Sequence, residues 1–362
     1  MAREKNLKVG LVLFTAVVAI GAAAAIIGLN MPAVQDRIVD GAARAAIRSD
    51  DSTWRADDGL TVIFCGTGSP LPSLQRAQTC TAVVAGDQFF LVDIGTGAWE
   101  NIQLLGLPGA SLGGIFLTHF HSDHFGDLGE ANLDSWVDGR ATKLRVYGPT
   151  GVEKVVRGIN AAYALDNTYR TAHHTKAVAP PRTSGLDPIE FLTPDEEETV
   201  VYDDAGLRVT AFRVDHHPVD PSVGYRFERD GRTVVVSGDT APSKRVVTAA
   251  MGADLLVHEA QANHMVRIVG REAQSAGQAR IAKILDDIPS YHTSPVDAAK
   301  IANEANVPLL ALNHLTPAPD NSITKKIFMR GVSAVRPKGV VLSEDRMIIR
   351  LPMDRDVTIT RP

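Results

Sequence analysis

The segment that most constrains this chain is His119-Phe120-His121-Ser122-Asp123-His124. It follows directly on the apolar run Gly114–Leu117, which reads as a short buried strand. His119 and His121 are two residues apart, so on an extended backbone their rings point to one side. Asp123 and His124 follow on the turn after it. Imidazole nitrogen and carboxylate oxygen are ligands that zinc takes in a roughly tetrahedral cage. Four such side chains converging at one strand end allow two neighbouring metals rather than one. A polar loop with coincidental histidines is the plain alternative, and the position right behind a buried strand argues against it.

Further ligands are expected where other strands stop, because strand ends line one edge. Val214-Asp215-His216-His217 closes the run Leu207–Val214. Val236-Ser237-Gly238-Asp239-Thr240 closes Thr233–Ser237, with Gly238 permitting a sharp turn. Leu310-Ala311-Leu312-Asn313-His314 closes another apolar run. Taken singly, each would more often be a surface or capping residue. Together they supply what the first motif lacks.

The rest of the chain sets the frame. Leu60–Cys65 is a strand ended by Gly66-Thr67-Gly68-Ser69-Pro70. Thr79–Ala85 and Gln88–Ile94 flank Gly86-Asp87 and read as a hairpin. Helices are expected over Gly97–Leu105, Asp127–Trp136 and Gly151–Tyr163, with a strand at Lys143–Tyr147. Asp166–Thr193, containing Pro180-Pro181, reads as an irregular insertion. Strands return at Thr199–Tyr202, Leu207–Val214, Ser222–Glu228 and Thr233–Ser237, then at Asp254–His258, Leu309–Leu312, Gly339–Leu342 and Met347–Leu351. Helices are expected over Ser243–Met251, Met265–Leu285 and Pro295–Ala305. Strands with interleaved helices, repeated in the second half, predict an α/β fold of the αββα sandwich type.

Before this domain, Val9–Leu29 is almost wholly apolar and uncharged, with Arg3, Lys5 and Lys8 ahead of it. That length spans a bilayer core, and the basic flank should remain in the cytoplasm. The expectation is an N-terminal transmembrane helix. It would make a single-pass protein of the cytoplasmic membrane with the catalytic domain on the periplasmic or extracytoplasmic side. Secretion after signal-peptide cleavage is the alternative. The expected organisation is a membrane anchor or signal segment over 1–30, a linker helix over 31–57, amphipathic from Pro32 to Asp51, and a hydrolase domain over 58–362. The 42 acidic against 37 basic residues give a net charge of −5, which excludes a bulk-basic footprint for nucleic acid and leaves room for a local patch. The two cysteines, Cys65 and Cys80, allow one disulfide; Cys65 reads first as a small buried apolar residue.

The first motif, followed in order by His216, Asp239 and His314, resembles the metallo-β-lactamase superfamily. Gly66-Thr67-Gly68-Ser69-Pro70 with Arg76, Val257-His258-Glu259-Ala260 and Tyr291-His292-Thr293-Ser294 resemble its ribonuclease Z and arylsulfatase-like branch. The resemblance covers about Leu60 to Leu351. It implies two zinc ions. His119, His121 and His216 would hold the first, Asp123, His124 and His314 the second, and Asp239 would bridge them. His217 is the rival for His216. His292 would donate the leaving-group proton, oriented by Glu259; capping of the helix at Pro295 is its plain alternative. Asp123 counts with these two among the catalytic groups, and Arg76 among the substrate contacts. His258 is expected to be a buried hydrogen-bonding residue, and His173 and His174 a surface pair.

The reaction expected is attack of an activated water on an ester, a phosphodiester or sulfate ester first. Alternatives are tRNA 3′-end processing, β-lactam or lactone hydrolysis, and a non-enzymatic membrane-anchored binding protein. Ribonuclease Z uses a long basic arm between the third metal histidine and the bridging aspartate. Here Arg226–Asp239 leaves room only for a hairpin. The expected partners are therefore a small-molecule ester and the membrane, with nucleic acid unfavoured and a homodimer allowed.

Overall fold

The computed structural model describes residues 29–48, 54–195 and 197–362. The chain divides into two compact units, Met1–Thr53 and Trp54–Pro362. In the first, the helix Pro32–Arg48 is described. Among the described residues no helix is long and apolar enough to cross a membrane. The run Val9–Leu29, apart from Leu29, lies outside the described residues. The helix that is described carries Asp36, Arg37, Asp40, Arg44 and Arg48 along its length, a charge density that forbids spanning. The fold is accordingly corrected to the αββα domain, with no transmembrane helix among the described residues. The expected placement at the cytoplasmic membrane, and the membrane as partner, lose their support.

The strands of the second unit are, in chain order, β1 (Ala56–Gly66), β2 (Cys80–Gly86), β3 (Gln88–Val92), β4 (Leu112–Phe116), β5 (Leu144–Pro149), β6 (Leu186–Phe191), β7 (Thr199–Asp204), β8 (Leu207–Arg213), β9 (Val223–Arg229), β10 (Arg232–Val236), β11 (Leu255–Gln261), β12 (Leu309–Thr316), β13 (Val340–Leu342), β14 (Ile348–Leu351) and β15 (Thr358–Thr360). They form two sheets. One runs β15-β14-β1-β2-β3-β4-β5-β6, the other β13-β12-β11-β10-β9-β8-β7. Period-two alternation decides which face each residue takes. On β1, Leu60, Val62 and Phe64 join Val209, Tyr225, Phe227 and Val257 in the core between the sheets. Ile63 and Cys65 face the other way, toward Trp99, Ile102, Leu128 and Val152 of the helices outside the first sheet. The helices Lys244–Ala250 and Pro295–Glu304 cover the second sheet through Val246, Ala250, Ala298 and Ala302.

Four further expectations are corrected. The helix expected over Gly151–Tyr163 runs over Val152–Val178, with a break in helical geometry at Thr175. Only Val152 and Val156 are buried on it, so the apolar stripe that marks a helix in a sequence fades while Ala161, Ala162, Ala164 and Leu165 carry the helix on. The segment taken as irregular also contains β6. Its Pro188 argues against an interior strand, yet β6 is the edge of its sheet, where proline is tolerated. Met265–Leu285 is two helices, Asn263–Ser275 and Ala279–Asp287, parted at Gly277, whose φ of 74° ends the first. Cys65 and Cys80, on adjacent strands and both buried, are joined in a disulfide, so Cys65 is more than a small apolar filler.

Candidate metal centre

The site is assembled at one edge of the sandwich, where β4, β8, β10, β11 and β12 end. Behind β4 the chain stays extended through His119 and His121 and then makes a single 3-10 turn over Ser122–His124. Phe120, between the two rings, packs into the outer core instead. This geometry brings His119, His121 and His216 together, their ligand-type atoms all within 4.8 Å of one another. Asp123, His124 and His314 form a second such group. His119, His124 and Asp239 form a third that links them. All but His121 are buried. His216 is 2% exposed, whereas its rival His217 is exposed and outside the groups.

Local backbone accounts for the convergence. Gly238 turns the chain after β10 with a φ of 64°, and a Cβ there would lie 2.6 Å from the Val223 carbonyl oxygen. Only glycine lets Asp239 enter the cavity at that point. On β12 the ladder with β11 pairs Glu259 with Asn313 and then Ala260 with Leu315, leaving His314 as the extra residue of a bulge. His314 takes a left-handed φ of 46°. Bulges re-aim a side chain, and this one turns His314 toward Asp123, with Nε2 3.2 Å from the carboxylate.

Hydrogen bonds behind the rings fix how each histidine faces the cavity. His124 Nδ1 lies 2.8 Å from Asp93 Oδ2, and His216 Nδ1 lies 3.1 Å from the Tyr291 carbonyl oxygen. The Thr118 hydroxyl donates to Asp93 and lies 3.1 Å from His119 Nδ1. Partners of this kind set the tautomer and leave the opposite nitrogen as a lone-pair donor. Nε2 of both His124 and His216 is buried without a hydrogen-bond partner. Nε2 of His119 and Nδ1 of His121 face each other at 3.0 Å. Burial is the main force holding the His119 and His216 rings below the ordinary histidine range. Burial also works against charge on His124, but the carboxylates of Asp239 and Asp93 outweigh it and push that ring well up. Asp93 and Thr118 were not singled out from the sequence. Asp93 follows β3 at Val92-Asp93-Ile94-Gly95, so the strand-end signal that marked Asp239 marks it too.

His292 stands beside these groups, its Nδ1 3.0 Å from Glu259 Oε1 and 4.0 Å from Asp239 Oδ2. Burial disfavours its charge, but Glu259 and Asp239 raise its pKa to about 9. Glu259 also accepts from the Thr293 backbone N–H, while Ser294, not His292, caps the helix Pro295–Glu304. His258 is fully buried. His173 and His174 are exposed on the long helix. Arg76 lies outside the ligand groups. Its nearly buried guanidinium donates to the Thr67 hydroxyl and the Ser343 carbonyl and pairs with Asp320 at 3.5 Å.

The family described as the beta-lactamase superfamily domain matches residues 90–315. The ribonuclease Z of Mycobacterium bovis is 37% identical over 264 residues, 72% of this chain and 87% of that protein. The ribonuclease Z of Mycobacterium marinum is 36% identical over 262 residues, again 72% and 87%. Among solved structures, the short form of human tRNase Z matches with a TM-score of 0.58 and 23% identity, covering 81% of this chain and 99% of that one. The metallo-beta-lactamase fold protein YhfI from Bacillus subtilis matches with a TM-score of 0.58 and 20% identity, covering 80% and 98%. These two likenesses show the fold. The relatives overturn the expectation that nucleic acid is an unfavoured partner, since they are named for cleavage of RNA. The missing arm and the net charge weighed too heavily, since one is a single segment and the other an average over the whole surface. The chain belongs to the β-lactamase superfamily, among relatives named ribonuclease Z, and is a metal-dependent hydrolase.

Proposed function

We propose, from that membership, that the chain is an endoribonuclease of the ribonuclease Z type, cleaving a phosphodiester bond near the 3′ end of a tRNA precursor. The observation that carries this reading is the 37% identity to a ribonuclease Z over 87% of its length. The donor chemistry suits two zinc ions. Buried Nε2 atoms of His124 and His216 have no hydrogen-bond partner, a costly arrangement unless a cation takes their lone pairs. His119, His121 and His216 would hold one ion, Asp123, His124 and His314 the other, and Asp239 would lie between them. When bound, such ions supply Lewis acidity to a phosphoryl oxygen and lower the pKa of the attacking water.

The chain's own residues then have distinct tasks. Asp93 and Thr118 keep the His119 and His124 rings turned toward the cavity. Asp123 and Asp239 bring negative charge that balances bound cations. Glu259 holds Nδ1 of His292, and Nε2 of His292 has no hydrogen-bond partner among the described residues, leaving it to deliver a proton to the departing oxygen. A tRNA precursor with a 3′ trailer tests the reading. The metal-loaded protein should release the trailer, and His292→Ala should cut turnover about 10²–10⁴-fold while metal content stays the same. Loss of metal from that variant would remove His292 as proton donor, and an uncut precursor would remove the ribonuclease reading.

One observation favours a second reading. Between His216 and Asp239 the structure has only the β9–β10 hairpin, turned at Asp230-Gly231, and no long arm. Such an open mouth also suits smaller esters, so bis-p-nitrophenyl phosphate and p-nitrophenyl sulfate belong in the same assay.

A further inference from the structure

Away from the metal centre, a groove of about 620 Å³ is lined by Lys326, Arg330, Arg336 and Lys338 over an aliphatic floor that includes Ile327 and Val340. No carboxylate lines it. In a chain with a net charge of −5 this is a local inversion of sign. Lys326, Arg330 and Lys338 are exposed, and none has an acidic partner among the described residues. Arg336 differs from them. Its guanidinium is half-buried and tied to the Asn303 side-chain oxygen at 2.7 Å and to the carbonyl oxygens of Val307, Pro308 and Gly339 at 2.5, 3.0 and 3.3 Å. All four acceptors are neutral, so a cation is fixed in place with no counter-ion from the protein. No aromatic ring lines the groove, so what it offers a nucleic acid is charge for the phosphate backbone and not base stacking.

Its place in the fold bears on what could fill it. Val340 pairs with Leu310, four residues before His314 on β12. At roughly 3.3 Å per residue the groove begins about 13 Å down the strand from the metal centre. At ~3.4 Å of axis per nucleotide, about four nucleotides separate the two. We propose that this groove binds the phosphate backbone of the RNA substrate at a distance from the cleaved bond. The inference rests on the ribonuclease reading and narrows it: the substrate is a polymer long enough to occupy both places.

The test compares the full-length protein with the triple variant Lys326→Ala, Arg330→Ala, Lys338→Ala. Binding of the trailer-bearing tRNA precursor is measured across a salt series, beside turnover of bis-p-nitrophenyl phosphate. Each lost phosphate contact should take about 0.7 from the slope of log affinity against log salt on a single strand, so the slope should become shallower by about 2. Affinity near physiological salt should fall about tenfold or more. Turnover of the small diester and the melting temperature should not change, which shows that the variant is folded. A wild-type protein that cleaves the precursor, paired with a variant of identical slope, overturns the groove alone. A wild-type protein that turns over the small diester but binds no RNA at any salt overturns the groove and the ribonuclease reading together.

Discussion

Two buried polar networks lie at the same edge of this molecule, and they are built to opposite ends. In the first, Asp345 accepts from the Thr67 backbone and hydroxyl, the Ala77 backbone and the Asn101 amide. Arg76 closes the ring through Thr67 and Ser343. All its donors but Arg76 Nε, which has only the Asp320 carboxylate at 3.5 Å, meet an acceptor, and the network ties the β1–β2 loop to the chain ahead of β14. In the second, around His119 to His124, several ring nitrogens face the same space with nothing to donate to them. A satisfied network of polar groups fastens loops. An unsatisfied, convergent one asks for a cation. The difference separates Arg76, whose guanidinium is held by Thr67, Ser343 and Asp320, from the histidine rings, whose buried nitrogens lack partners.

The contrast can be broken at either end. The largest effect is expected from Asp239→Ala, which removes the carboxylate between the two ligand groups. It should empty the site and lower activity at least about 10³-fold with little loss of folding stability, read by metal analysis and turnover. A variant that keeps full metal and rate would end the two-ion reading. Asp345→Ala should do the reverse. It strands three kinds of buried donor, each worth ~1–3 kcal/mol, so chemical denaturation should show a loss of at least about 3 kcal/mol with metal content retained. An unchanged midpoint would mean that this network fastens nothing. Replacing both Cys65 and Cys80 by alanine opens the loop that carries Arg76. The sequence separation of 15 predicts a loss of about 3 kcal/mol, visible as a lower melting temperature, which reduction of the wild type should reproduce. The smallest effect is expected from Asp93→Asn, which keeps the shape behind His124 but not the charge. Metal affinity should fall about 10–100-fold in a competition titration, with the fold intact. An effect as large as that of Asp239→Ala would place Asp93 among the ligands themselves.

How much could be read without coordinates follows from the same distinction. The convergence of His119, His121, Asp123, His124, His216, Asp239 and His314 was legible because strand ends line one edge, and those stops are marked by apolar runs followed by His, Asp or Gly. The layered fold was legible because β1 to β5 and β7 to β12 alternate or run apolar in the ordinary way. The helix from Val152 was legible only as far as it buries anything. Beyond Tyr163 its side chains face solvent, as Leu165 and Tyr169 do, and carry no periodic signal. The strand β6 was hidden by Pro188, whose meaning depends on being at an edge. The surroundings of Arg76 were not legible, because a sequence shows a charge but not the acceptors around it. Asp93 was passed over because one carboxylate after an apolar run does not announce which ring it will hold.

The bulge at His314 has a consequence for how this centre could be lost or gained. The β11–β12 ladder resumes at Ala260 and Leu315 as if His314 were not there. A chain lacking that one residue could pair the same strands in the same register and keep the same core. The sheet has no use for it. The fold therefore carries His314 as a surplus residue, and a single-codon deletion there should leave a folded protein that has forgotten its chemistry.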